Sequence, residues 1–302
     1  MALDPRGLYE LAAPHPAVQR PVLLHLMDGA SDAGSAVQLA RAHLLDALDG
    51  EVIARFDVDQ LYDYRARRPL MRFARDHWES MARPELALHL MRDLTGAAFL
   101  LLVGPEPDVQ WERFITAVHQ LAAILDVRLV LGASAFPMSL PHTRPTPVIV
   151  HASRPDLLAG YRPWLGAVGV PATIGHAIEF RLAEAGLDTM GLSATIPPYL
   201  AQAEYPAAAA ALLREVALRT GLAFPLDALD AAAQTARLAI DKQIAQSAEA
   251  QSLVRALEEQ YDSYSRQRES RLDADRLPSA DELGAELERF LAEQPRGDTP
   301  NT

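Results

Sequence analysis

The sequence predicts a three-layer α/β/α sandwich: a mostly parallel sheet covered by helices, followed by a helical C-terminal extension. Three observations predict it. Short apolar runs alternate with helix-length amphipathic segments over the first 220 residues, as in successive βα units. The runs at 22–27, 97–103 and 127–131 are apolar without alternation, as strands buried on both faces are. After Gly221 the strand-like runs stop, and Leu226 to Tyr264 contains neither Gly nor Pro.

Pro21 to Met27 reads as the first buried strand, closed by Asp28 and Gly29. Ala33 to Leu48 follows as a helix, with Val37, Ala40, Leu44, Leu45 and Leu48 on one face. Glu51 to Val58, Leu86 to Met91 and Ala97 to Val103 are further strands. Gly104-Pro105-Glu106-Pro107-Asp108 breaks the pattern, and Asp108 is the expected N-cap of a helix reaching Leu125. Val127 to Leu131 and Pro147 to Ala152 are strands, separated by a turn-rich stretch. Gly175 to Ala185 is helical and Met190 to Ile196 a strand. Pro206 opens the next helix and Gly221 ends it. Leu226 to Tyr264 is one long helix, or two with a break near 247–252. Val254, Leu257, Tyr261 and Tyr264 form its apolar stripe. Arg266 to Arg276 reads as a charged linker, and Ser279-Ala280-Asp281-Glu282 as a capping box opening a short helix. The expected divisions are a core over 15–221, a helical extension over 222–268, and an acidic linker, short helix and tail over 269–302.

The 302 residues carry 40 acidic and 28 basic side chains, a net charge of −12. Such a balance disfavours nucleic acid and anionic membrane as general partners. There is no cysteine, which excludes disulfides, thiolate nucleophiles, zinc–thiolate sites and iron–sulfur clusters. The apolar run at 97–103 is far short of a membrane helix, and no signal-peptide core is visible, so the expected location is the cytoplasm. No metal-ligand spacing or intact dinucleotide fingerprint occurs, so no cofactor is expected.

Several polar groups are candidates for chemistry. Gly29 and Gly34 have the spacing of a phosphate loop, but no Lys follows. Asp28 and Asp32 would also repel a phosphate there. The alternatives are a tight turn with Asp32 as helix cap, or a role for Asp28 or Asp32 at the carboxyl edge of the sheet. Glu106 and Asp108 could work as an acid–base pair or simply cap. His142 could act as a base near neutral pH and Arg144 as an anion clamp, although a structural His is the simpler reading. Ser134 lies in Gly132-Ala133-Ser134-Ala135-Phe136, which lacks the final Gly of a nucleophile elbow. Arg65, Arg67, Arg68, Arg72 and Arg75 make the densest basic patch, suited to pairing with carboxylates or to an anionic ligand.

Taken together, the chain resembles the proteasome assembly chaperone 2 family, in its actinobacterial-type, ATP-grasp-associated branch. The residues carrying the likeness include Asp28-Gly29 with Asp32-Ala33-Gly34, and Asp63-Tyr64-Arg65 with Arg67-Arg68-Pro69. Gly104 to Asp108 with Trp111, Pro141 to Pro145, and Leu257-Glu258 with Tyr261-Asp262 complete the set. The resemblance covers about residues 20–292. It implies a phosphorylase/hydrolase-like core, self-association as a homo-oligomer, expected to be a trimer, and proteasome subunits as possible partners. Tyr64, Arg65, Arg67, Arg68, Trp111 and Tyr261 are the binding or interface residues it suggests. Chaperones of this type often dock through a hydrophobic–tyrosine–any tail, whereas this sequence ends Asp298-Thr299-Pro300-Asn301-Thr302. Two functions are therefore weighed. One is a non-catalytic assembly or interaction protein. The other is a hydrolase- or phosphorylase-like enzyme using Asp28, Asp32, Glu106, His142 and Arg144 on a small anionic ligand.

Overall fold

Eight strands form one mixed sheet, and helices cover both of its faces. The computed structural model describes residues 3–14, 18–161 and 166–274. In chain order the elements are β1 (Tyr9–Leu11), β2 (Val22–Asp28), α1 (Ala36–Ala47), β3 (Gly50–Phe56), β4 (Met71–Ala74) and β5 (His77–Met81). There follow β6 (Ala87–Arg92), β7 (Ala98–Pro105), α2 (Trp111–Ile124), β8 (Leu129–Pro137), β9 (Val148–Ala152) and α3 (Ile174–Glu184). The chain continues through β10 (Thr189–Ile196), α4 (Pro206–Thr220), α5 (Asp227–Ala245) and α6 (Ala248–Ala274).

The sheet order is β1-β3-β6-β7-β2-β8-β10-β9. The central strands β7, β2, β8 and β10 run parallel. The margins are antiparallel: β6, β3 and β1 on one side, β9 on the other. The expected parallel sheet is thus this central quartet. Its strands are apolar on both faces because both faces are buried. Val22, Leu24 and Leu26 of β2 join Leu131, Leu192 and the helices α1 and α4 in one core. Leu23, Leu100 and Val130 point the other way, into a second core with Phe114, Leu121 and Ile178 of α2 and α3.

Local chemistry sets the boundaries. Gly221 adopts φ +80° and donates its N–H to the Ala217 carbonyl, which ends α4 as a left-handed glycine cap does. Gln246 and Ser247 separate α5 from α6, so the glycine-free stretch is two helices. Two compact units divide the chain, Met1–Ala248 and Glu249–Thr302.

Three local expectations change. Asp108 is not the N-cap of α2; Gln110 holds that position with a left-handed backbone, while Asp108 accepts from the Asp63 N–H and from Arg67. Leu45 lies 39% exposed, on the flank of the α1 stripe rather than in it. Arg266 does not begin a linker, because α6 continues to Ala274. The expected short helix from Ser279 lies outside the described residues. The hairpin of β4 and β5 was not legible as a fold element, since its segment is arginine-rich and almost wholly exposed.

Candidate functional site

The carboxyl edge of the central strands brings together three of the candidate acids, and each is engaged locally. Asp28 ends β2, and its carboxylate lies 2.6 Å from Arg41 of α1. Asp32 accepts the N–H groups of Val37 and Gln38 at 2.7 and 3.0 Å, satisfying two free donors in the first turn of α1. Burial nevertheless pushes its carboxyl above the usual value, against those hydrogen bonds. The backbone N–H of Glu106 donates to the Asp28 carbonyl at 2.8 Å. Its side chain accepts the Ile174 N–H at 2.7 Å, capping α3 across a long sequence separation. The Gly34 N–H and carbonyl are tied to Ala201 and Tyr205, so the loop that spaced its glycines like a phosphate cradle is a structural tie.

His142 and Arg144 stand elsewhere. They line a groove of about 800 Å³ with Tyr205, Arg214, Gln234 and Arg237, whereas Asp28 and Glu106 line a separate cleft. His142 is 6% exposed. Its Nε2 lies 2.9 Å from Asp241 and its Nδ1 2.7 Å from the Tyr199 hydroxyl. The Tyr199 oxygen also accepts the His142 backbone N–H at 2.9 Å. The consistent tautomer has Nε2–H donating to Asp241 and Nδ1 accepting from Tyr199. An imidazole held at both nitrogens is a fastener between its loop and α5.

The arginine segment divides as well. Arg67 donates to the Glu106 carbonyl at 2.5 Å and to Asp108 at 2.7 Å, and it stacks over Tyr62 at 4.4 Å. Tyr64 donates its hydroxyl to Asp59. Trp111 donates its indole N–H to the Pro107 carbonyl at 2.7 Å. Arg65 and Arg68 are exposed, and Tyr261 is half-buried on α6.

One polar arrangement escaped sequence reasoning. His25 of β2, Gly132 of β8, Gly191 of β10 and His151 of β9 are register partners, forming a row across four strands. Glu179 of α3 lies over the two glycines. A Cβ at Gly132 would collide with His25 and Glu179, and one at Gly191 with His151 and Glu179. Glu179 is 2.6 Å from His151 and 3.7 Å from His25. Burial lowers the His25 pKa, while the Glu179 hydrogen bond raises that of His151. Beside this row the Ser134 and Ser193 hydroxyls bond at 2.8 Å. The sequence signal was there: a glycine inside a buried strand marks a close approach. Among the described residues no group of His, Asp or Glu side chains has the geometry to hold a metal ion.

Comparison with known proteins fixes the family. The PAC2 family profile matches residues 26–244, which include β2 through α5 nearly complete.

The chain belongs to the PAC2 family.

A Mycobacterium tuberculosis protein of unknown function is 44% identical, with TM-score 0.84, over 90% of this chain and 95% of its own. A Corynebacterium glutamicum protein of unknown function is 37% identical, with TM-score 0.81, over 85% and 97%. A second M. tuberculosis structure, described as a proteasome-assembly chaperone homologue, is 26% identical, with TM-score 0.71, over 77% and 99%. No curated protein matches the chain. The PAC2 core thus has the α/β architecture of these neighbours, with the helical C-terminal region that the sequence predicted.

Proposed function

We propose that this PAC2-family protein is a non-catalytic assembly or protein-interaction factor, acting in the cytoplasm as a homo-oligomer. One observation carries the reading. Four of the five groups that an enzyme would need at one point are engaged in local structural bonds, and the five fall at two separate places. Asp28 answers Arg41, Asp32 caps α1 and Glu106 caps α3, while His142 and Arg144 stand at another groove. An acid–base mechanism needs mutual reach, whereas the carboxyl-edge acids stand at one cleft and His142 and Arg144 at another groove. The similarity to a proteasome-assembly chaperone homologue supports the same reading, with proteasome subunits as candidate clients and a trimer as the assembly the resemblance implies. No helix among the described residues is long and apolar enough to cross a membrane.

Affinity purification from the native cell, read by mass spectrometry, tests the proposal. Stoichiometric recovery of other protein chains supports it. Recovery of a small anion bound at the His142 groove, with turnover lost in His142→Ala, overturns it.

A further inference from the structure

The strands β2 and β7 are parallel neighbours whose following helices go to opposite faces. Helix α1 packs into the core it shares with α4, and α2 into the core it shares with α3. Where two such strands part, an open α/β sheet leaves a crevice at their carboxyl ends, and such crevices hold ligands. A hollow of about 390 Å³ lies there, within the roughly 300–1,000 Å³ of small-molecule sites. Asp28 of β2 and Pro105 of β7 line it, with Arg41 and Leu45 of α1. Tyr62, Arg67 and Glu85 complete it from the segment between β3 and β6. Asp28 alone is common to this crevice and the cleft that holds Glu106.

Its charges are matched. Two guanidinium groups, Arg41 and Arg67, stand with two carboxylates, Asp28 and Glu85. The partners just outside, Asp108 on Arg67 and Arg55 on Glu85, keep the balance even. A phosphate would meet the two carboxylates and a simple amine the two guanidinium groups, whereas a molecule with one charge of each sign suits both pairs. These groups also have capacity to spare. A guanidinium has five N–H donors and a carboxylate about four acceptor positions. Arg67 bonds Glu106 and Asp108 from Nη2, and its Nε is buried with no acceptor. The bonds of Arg41 to Asp28 and to the Leu26 carbonyl leave from Nη1. The Asp28 and Glu85 side chains remain 48% and 58% exposed. Apolar surface lies beside the charges: Leu45, turned out of the α1 stripe, with Tyr62, Pro84 and Pro105. We infer that this crevice binds a free α-amino acid with an apolar side chain. Its carboxylate would take the spare guanidinium donors, its ammonium Asp28 and Glu85, and its side chain the Leu45 wall. The inference adds a ligand to the assembly-factor reading and requires no turnover.

Isothermal titration calorimetry on the full chain tests it, with L-leucine and L-phenylalanine as probes. Leucinamide lacks the carboxylate and N-acetyl-L-leucine the ammonium, and the two also stand for the ends of a peptide. The expected result is saturable binding of at least one amino acid with Kd below about 1 mM, weakened about tenfold or more in either derivative. Leu45→Trp fills the apolar wall from an exposed position and should weaken binding about tenfold or more. Glu85→Gln removes a carboxylate whose own bond is an exposed pair with Arg55. It should weaken the amino acid and strengthen N-acetyl-L-leucine, a gain that a misfolded variant would not give. No binding of either amino acid, equal affinity for the derivatives, or binding unchanged in Leu45→Trp overturns the inference. An N-acetyl-L-leucine affinity that does not rise in Glu85→Gln overturns the assignment of the ammonium. Capture of other proteins is read separately in the purification and does not depend on these outcomes.

Discussion

Glu179 is a buried carboxylate whose neighbours are histidines, and its charge needs a proton nearby. His151 supplies it: the 2.6 Å hydrogen bond raises the imidazole pKa above its usual 6.5. His25 answers oppositely, since burial keeps it neutral in spite of Glu179. The two histidines give opposite slopes of stability against pH. The His151 contribution is complete below pH 6.5 and is lost as pH rises through its native value. The His25 environment costs stability as pH falls below 6.5, because the unfolded chain takes a proton that the native imidazole refuses. Titration by NMR should place His151 above 6.5 and His25 below it. In Glu179→Gln the His151 value should fall toward 6.5. A His151 resonance unmoved by that substitution would refute the pairing.

At the scale of elements, α3 is keyed to the sheet by that row. Gly132 and Gly191 leave out the two Cβ atoms that would fill the space of the imidazoles and the carboxylate. Gly132→Ala should therefore lift α3 and destabilise the protein by about 1–3 kcal/mol, the range for overpacking a core. Urea unfolding measures it, and an unchanged midpoint would show that the row has slack. The same elements show what the sequence could and could not tell. The strands of the central quartet were legible because burial on both faces leaves a continuous apolar run. The ends of α4 were legible from Pro206 and Gly221, whose backbones suit those positions alone. Asp108 misled because capping is a local rule, while a carboxylate that finds Arg67 and the Asp63 N–H forty-odd positions away has a better use. The carboxyl-edge acids were found by type and position, but their division into caps depends on α3 and α1 arriving from elsewhere in the chain. The β4–β5 hairpin was missed because its apolar side faces outward, so no burial pattern separated it from a loop.

For the whole molecule, Asp93 joins distant parts of the core. It sits in the turn between β6 and β7, 5% exposed. One oxygen accepts the Thr95 hydroxyl and the Thr95 and Ala97 N–H groups, and the other accepts the Ala223 N–H beyond α4 at 2.8 Å. Burial alone would raise its pKa, but these hydrogen bonds outweigh it and hold the carboxyl below its usual value. Its contribution is thus present above about pH 4 and lost as pH falls through the native value. Asp93→Ala strands four donors, and a loss of about 3 kcal/mol in thermal or urea unfolding is expected. A loss below about 1 kcal/mol would mean that water replaces the carboxylate there.

The sheet ends on Tyr9–Leu11 at one margin and Val148–Ala152 at the other. A strand arriving from a neighbouring chain would find the three residues of β1, with the Gly50–Val52 end of β3 stepped back beyond them, on one side and the five residues of β9 on the other. That offers too few ladder bonds to hold a newcomer. In the folded protein the large sheet therefore gives poor purchase for fibre growth. Its brevity at the rims guards against runaway stacking while leaving the molecule free to meet others elsewhere on its surface.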